Sequence, residues 1–215
     1  MSNQKEIRSL EEVKATDDEQ MIVEGYSLRF NKLSNDLGGF VEEISPEALK
    51  DADLSDVRCL IDHDSSKVLG RTTSETLELT VDDEGLYFRC QLPNTTYGRD
   101  IYESVRRGDI SQMSFGFILA EDGDEFEKRD DGLFKRTLRK IKSLFDVSIV
   151  TYPAYNDTDV APALRSIEAI KQEELDKVKE EANRLELEKV KAEYEELRQL
   201  DLLKVQLEML RLKKY

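Results

Sequence analysis

The amino-acid sequence predicts an α+β domain, mainly β, followed by one long amphipathic helix. Three observations carry that prediction. Short runs rich in apolar residues recur between Met21 and Thr151, several in strict alternation, separated by turn-prone clusters. The period switches once to helical spacing, at Tyr97, Ile101, Tyr102 and Val105. From Ser166 to Tyr215 there is no proline or glycine, and Glu, Lys, Leu and Arg dominate. Many short strands and one or two helices in a body of roughly 145 residues point to a β-barrel or sandwich with helices packed outside.

The elements follow in chain order. Residues 1–20 are charged and unpatterned, which predicts a flexible arm. Ile22, Val23, Tyr26, Leu28 and Phe30 form a β-rich run closed by the turn-prone stretch Asn31 to Gly39. Ser45-Pro46-Glu47 reads as an N-cap with proline at the first helical position, opening a short helix through Leu49. Val57 to Ile61 is the next strand, ending at Asp62-His63-Asp64-Ser65-Ser66, and Lys67 to Thr72 resumes as a strand. Leu77, Leu79 and Val81 alternate, Asp82 to Gly85 turns, and Leu86, Phe88 and Cys90 alternate again, the strongest hairpin signal in the chain.

The helix at Tyr97 to Val105 carries Arg106 and Arg107 in its last turn and stops at Gly108. A strand then runs from Gly108 to Phe117. Ser111, Met113, Phe115, Phe117 and Leu119 share one face, an apolar one, and Ser114 shares the thinner face with Gly116, which would let a backbone or substrate approach. Acidic Glu121 to Asp131 suggests a mobile loop able to gate a site, and Leu133–Ile141 and Leu144–Thr151 are the last two strands. Pro153 and the cluster Asn156 to Asp159 close the domain, giving a body over 21–155, a linker over 156–165 and a helical tail over 166–215. In the tail, Leu175, Val178, Ala182 and Leu185, then Leu187, Val190, Tyr194 and Leu197, then Leu203, Leu207 and Leu210 fall at spacings of three and four. Such a stripe needs a cover, either a partner, a second copy of the tail or the body itself.

Composition narrows the function. With 215 residues and a net charge of −15, the balance of the chain argues against phosphate binding, so nucleic acid is not expected as a partner. No apolar run approaches the ~20 residues of a membrane span. Met1 to Gln20 is too polar for a signal peptide, which predicts a cytosolic protein. Cys59 and Cys90 lie in apolar strands without metal or disulfide spacing and are expected as buried thiols, and neither a metal nor a cofactor is expected.

His63 is the only histidine, so any histidine-based catalysis has one source. A serine hydroxyl needs an adjacent base, and the base needs an orienting group. Ser114 on its thin face is the candidate nucleophile, although alone it reads as a polar residue on a solvated strand. The orienting group should be a carboxylate. Asp146 fits: in Leu144 to Thr151, Phe145, Val147 and Ile149 form the apolar face and leave Asp146 and Ser148 on the other. Asp62 and Asp64 adjoin His63 but point away from it if the strand persists; a turn there would weaken that objection. A cysteine hydrolase using Cys59 is disfavoured, since Cys59 and His63 would lie roughly 13 Å apart along one strand.

Four ordered motifs add a resemblance. Asp62-His63-Asp64 with Lys67-Val68-Leu69-Gly70-Arg71-Thr72, then Asn94-Thr95-Thr96-Tyr97-Gly98-Arg99-Asp100, then Gly108 to Phe117, then Phe145-Asp146-Val147-Ser148-Ile149-Val150-Thr151-Tyr152-Pro153-Ala154-Tyr155 resemble the tailed-phage prohead (capsid maturation) protease family over about residues 21–161. That family is related in fold to the herpesvirus assemblin proteases, so the resemblance implies a herpesvirus-protease-like β-barrel with flanking helices. It makes Ser114 the nucleophile, His63 the general base and Asp146 the replacement for the second histidine of the herpesvirus enzymes. The oxyanion donors stay open between backbone N–H groups and an arginine such as Arg71 or Arg139.

The implied function is a serine endopeptidase that works inside the immature capsid, in the host cytoplasm. It would cleave the major capsid protein or its scaffold segment, and finally itself, with a cleavable linker at Thr158 to Leu164. The tail would dock on the scaffold segment or self-associate through 166–215. The alternative is a non-enzymatic assembly or scaffolding protein acting through that tail.

Overall fold

The structure, a computed structural model, describes residues 5–10, 13–152 and 157–212. Met1 to Gln4 of the expected arm, together with Pro153 and Asn156 of the expected domain end, lie outside the described residues. The chain divides into two units, Met1–Arg165 and Ser166–Tyr215.

In the first unit the strands are β1 (Lys5–Leu10), β2 (Val13–Asp17), β3 (Ile22–Arg29), β4 (Phe40–Ile44), β5 (Arg58–Ile61), β6 (Asp64–Arg71), β7 (Leu77–Val81), β8 (Gly85–Gln91), β9 (Gln112–Leu119), β10 (Asp124–Lys128), β11 (Phe134–Leu138) and β12 (Ile141–Val150). They build three sheets, ordered β1-β9-β12-β5-β6, β2-β3-β8-β7 and β10-β11-β4. No closed barrel forms among the described residues. The five-stranded sheet ends at β1 and β6 instead of returning on itself, and the β10–β11 hairpin pairs in parallel with β4 in a sheet of its own. The molecule is α+β and mainly β, with open sheets where the sequence suggested a barrel.

One core joins the sheets. Met113, Phe115 and Phe117 of β9, Val147 and Ile149 of β12, Cys59 and Ile61 of β5, and Val23, Leu28, Phe88 and Cys90 of the four-stranded sheet are all buried in it. Helix α1 (Thr96–Arg107) adds Ile101, Tyr102 and Val105. Its ends follow from local chemistry: the Thr95 hydroxyl accepts from Gly98 N, and Gly108 takes the left-handed conformation, φ +81°, that ends the helix without a Cβ clash. The Ser45 hydroxyl likewise caps a single 3₁₀ turn over Pro46–Leu49.

Two expectations are corrected. The stretch read as an arm supplies β1, antiparallel to β9, and β2, antiparallel to β3. In β2 only alternate residues face inward, so Val13 is buried while charged neighbours dilute the apolar signal. Glu6 of β1 is buried against Arg136 of β11, so a charge that suggested solvent is an internal anchor. The acidic run 121–131 contains β10, an edge strand whose outward charges protect it from further pairing.

Helix α2 (Asp157–Leu212) begins inside the expected linker, which is therefore helical from Asp157 onward. Over the second unit it is continuous and exposes Leu175, Val178, Leu185, Val190, Tyr194, Leu197 and Leu203. Among the described residues no helix is long and apolar enough to cross a membrane.

Candidate active site

Strands β9, β12 and β5 lie side by side in the five-stranded sheet; Ser114 comes from β9, Asp146 from β12 and His63 from the turn that follows β5. Ser114 of β9 stands directly opposite Ser148 of β12 in the antiparallel ladder. Asp146 is two residues earlier on β12, on the same face. On the other side of β12, the parallel partner β5 runs to Ile61, and the chain turns back at once into β6, with Ile61 paired to Asp64.

The two residues of that turn are Asp62 and His63, both with positive φ, +48° and +58°. Two left-handed central residues mark the tight hairpin turn whose twist matches the flanking strands. Neither is glycine, so holding the turn costs on the order of 1–2 kcal/mol per residue. The strain is offset by a clamp on β12. Asp62 N donates to the Ile149 carbonyl at 2.9 Å, and the Asp62 carboxylate accepts from Thr151 N at 2.8 Å and Thr151 Oγ1 at 3.2 Å. This fixes the imidazole over the strand that carries Asp146.

His63 Nε2 lies 2.7 Å from Ser114 Oγ, and His63 Nδ1 lies 2.6 Å from Asp146 Oδ1. An ionised carboxylate only accepts, so Nδ1 carries the proton and Nε2 is left to accept the Ser114 hydroxyl proton. Ser148 Oγ donates to the same Asp146 Oδ1 at 2.7 Å and stands 3.2 Å from His63 Nδ1. Ser114 and Ser148 are 0 % exposed and Asp146 3 %, while the His63 side chain retains 16 %. Ser114 therefore sits on a covered face, not the open one that the strand pattern suggested. The arrangement can do nucleophilic chemistry: a hydroxyl aligned with a base whose far nitrogen is held by a carboxylate.

At Gly116 the missing side chain makes room for the neighbouring strand. The ladder shifts between Leu144 and Asp146, so Phe145 is the extra residue of a β-bulge and Asp146 is opposite Gly116. A Cβ at 116 would collide with the Phe145 ring and lie 2.6 Å from Asp146 Oδ2. The bulge also corrects the expected faces of β12. Leu144, Val147 and Ile149 enter the core, whereas Phe145 lies beside Asp146.

The other candidates lie elsewhere. Asp62 is spent on Thr151, and Asp64 accepts from Ser66 N and Oγ. Arg71 forms a two-point bond with Asp56 and Arg139 pairs with Glu125, so both guanidiniums are already held by carboxylates. Cys59 is fully buried beside Cys90, and that neighbour and its burial push the thiol pKa well up, the reverse of what a nucleophilic thiolate needs. Sequence reasoning placed Ser148, Gly116 and Asp62 near the candidate residues but assigned none of them the contact it makes here. A signal for the clamp was present, because Asp is favoured in two-residue turns and Ile61 and Asp64 flank such a turn.

A family model described as Caudovirus prohead serine protease matches residues 6–173 of the chain. Neither a curated protein nor a solved structure gives a match.

Proposed function

Because the chain belongs to the caudovirus prohead serine protease family, we propose that it is an endopeptidase of capsid maturation whose nucleophile is Ser114, whose general base is His63 and whose orienting carboxylate is Asp146. The observation that carries this reading is the continuous path Ser114 Oγ, His63 Nε2, His63 Nδ1, Asp146 Oδ1, with steps of 2.7 and 2.6 Å on either side of the ring.

In this reading Nε2 takes the Ser114 proton as Oγ attacks the peptide carbonyl. The imidazolium, compensated by Asp146, then returns the proton to the leaving amine. A water, deprotonated by the same nitrogen, hydrolyses the acyl ester. The substrates are the major capsid protein or its scaffold segment, within the immature capsid, and finally the enzyme itself. The exposed apolar residues of the tail over 166–215 suit docking on the scaffold segment or on a second copy. Self-removal at Thr158 to Leu164 requires the first turns of α2 to unwind, since a protease acts on extended chain.

Co-expression with the major capsid protein of the same phage tests the assignment. The wild-type chain should shorten that protein, and Ser114→Ala should leave it at full length; normal processing by Ser114→Ala would refute the assignment.

A further inference from the structure

We propose that Ser148 is a positioning residue of this site, an inference that rests on the assignment of Ser114, His63 and Asp146 made above. Ser148 is fully buried, stands opposite Ser114 in the β9–β12 ladder and shares a face with Asp146 two residues earlier. Its hydroxyl donates to Asp146 Oδ1 at 2.7 Å, and that same oxygen lies 2.6 Å from His63 Nδ1. The hydroxyl oxygen is also 3.2 Å from Nδ1 itself. The three polar atoms form a closed triangle with one corner on the ring.

The triangle has a mechanical consequence. A carboxylate buried on a sheet face rotates toward whatever donors it can find, because an unpaired buried charge is costly. With Nδ1–H as its sole donor at Oδ1, Asp146 could satisfy itself in several orientations, some of which leave the imidazole unaligned. The Ser148 hydroxyl adds a second donor, rooted in the same strand and unable to move independently of it. It fixes the torsion of the carboxylate with Oδ1 toward His63. A Cβ at residue 116 would lie 2.6 Å from Oδ2, so this orientation of the carboxylate also depends on Gly116 having no side chain. Ser148 does not touch the reacting atoms; it acts through Asp146 and His63.

The test uses the full chain with Ser148→Ala and Ser148→Thr, the second of which keeps the hydroxyl. Initial rates are measured on the major capsid protein of the same phage, and the His63 ring is followed by proton and nitrogen NMR. His63 is the only histidine, so its resonances need no assignment by mutation. In Ser148→Ala, kcat should fall roughly 10- to 100-fold, the loss of one hydrogen bond to a charged group, with KM within about twofold. The low-field Nδ1–H resonance should broaden or vanish. Ser148→Thr should restore the resonance and most of kcat.

If Ser148→Ala does not fold, Ser148→Cys, which keeps the shape with a weaker donor, is read in the same way. A folded Ser148→Ala or Ser148→Cys with wild-type kcat and an unchanged Nδ1–H resonance would overturn the proposal. Absence of cleavage by the wild type would count against the protease reading instead, and the resonance would still decide the role of Ser148.

Discussion

Asp146 stands opposite Gly116 across the β9–β12 ladder, and the space its carboxylate occupies exists because residue 116 has no side chain. A methyl there meets both the Phe145 ring and Asp146 Oδ2. Gly116→Ala should therefore destabilise the fold by about 1–3 kcal/mol through overpacking and should reduce cleavage by more than that loss explains, because Asp146 is displaced from His63. Adding Phe145→Ala should restore stability more than activity. Thermal melts and rates of the single and double variants check both parts.

Asp146→Asn keeps the size of the side chain and changes what it offers to Nδ1. An amide that turns its N–H₂ toward the ring stabilises the tautomer with the proton on Nε2, which cannot accept from Ser114. A drop in kcat on the order of 10³–10⁴ is expected, by analogy with orienting carboxylates in serine hydrolases. A fall of less than tenfold would mean that another group orients His63.

Arg136 is 1 % exposed and binds Glu6 at two points, Glu42 at 2.9 Å and Asp124 at 2.6 Å. Burial opposes its charge, but the Glu6 hydrogen bonds and the surrounding carboxylates more than compensate, and its pKa rises. Arg136→Met leaves buried carboxylates without their cation, a loss of roughly 3–5 kcal/mol. Deleting residues 1–10 removes Glu6 and the strand paired with β9, so the truncated chain should melt well below the full one. A loose arm would leave the melting temperature unchanged, and calorimetry distinguishes the two.

The Tyr102 phenol is buried and donates to Asp18 Oδ1 at 2.7 Å, and burial followed by that bond pushes its pKa from the ordinary value near 10 up to about 12. Between those values the folded chain keeps a proton that the unfolded chain has released, so stability falls as pH rises. The contribution is complete below pH 10 and gone above about 12. Wild-type stability should drop more steeply over this interval than that of Tyr102→Phe, which has no proton to lose. Urea unfolding at pH 9 to 12 measures the difference.

Much of this architecture was legible from periodicity. The β7–β8 hairpin and the helix stopped by Gly108 follow from alternation, caps and turn chemistry, all local signals. The contacts of His63 with Ser114 and Asp146 join three residues that the lone histidine and the ordered motifs had singled out together; strand alternation alone left Ser114 and Asp146 as ordinary polar positions. What escaped was non-local. Glu6 looks solvated until Arg136 is placed beside it, and β10 looks like a loop because an edge strand carries its charges outward. The bulge at Phe145 reverses one side chain without altering the composition of β12. The barrel failed for a similar reason: closure depends on which edges meet, and alternation along a strand carries no information about its neighbours.

The most direct test of the central claim is peptide mapping by mass spectrometry after treatment of the full chain with a small fluorophosphonate, a reagent that adds to activated serine hydroxyls. A single adduct on Ser114 is expected, abolished in His63→Ala and strongly slowed in Asp146→Asn. Labelling of Ser114 at an unchanged rate in His63→Ala, or an adduct on another serine with Ser114 untouched, would contradict the account.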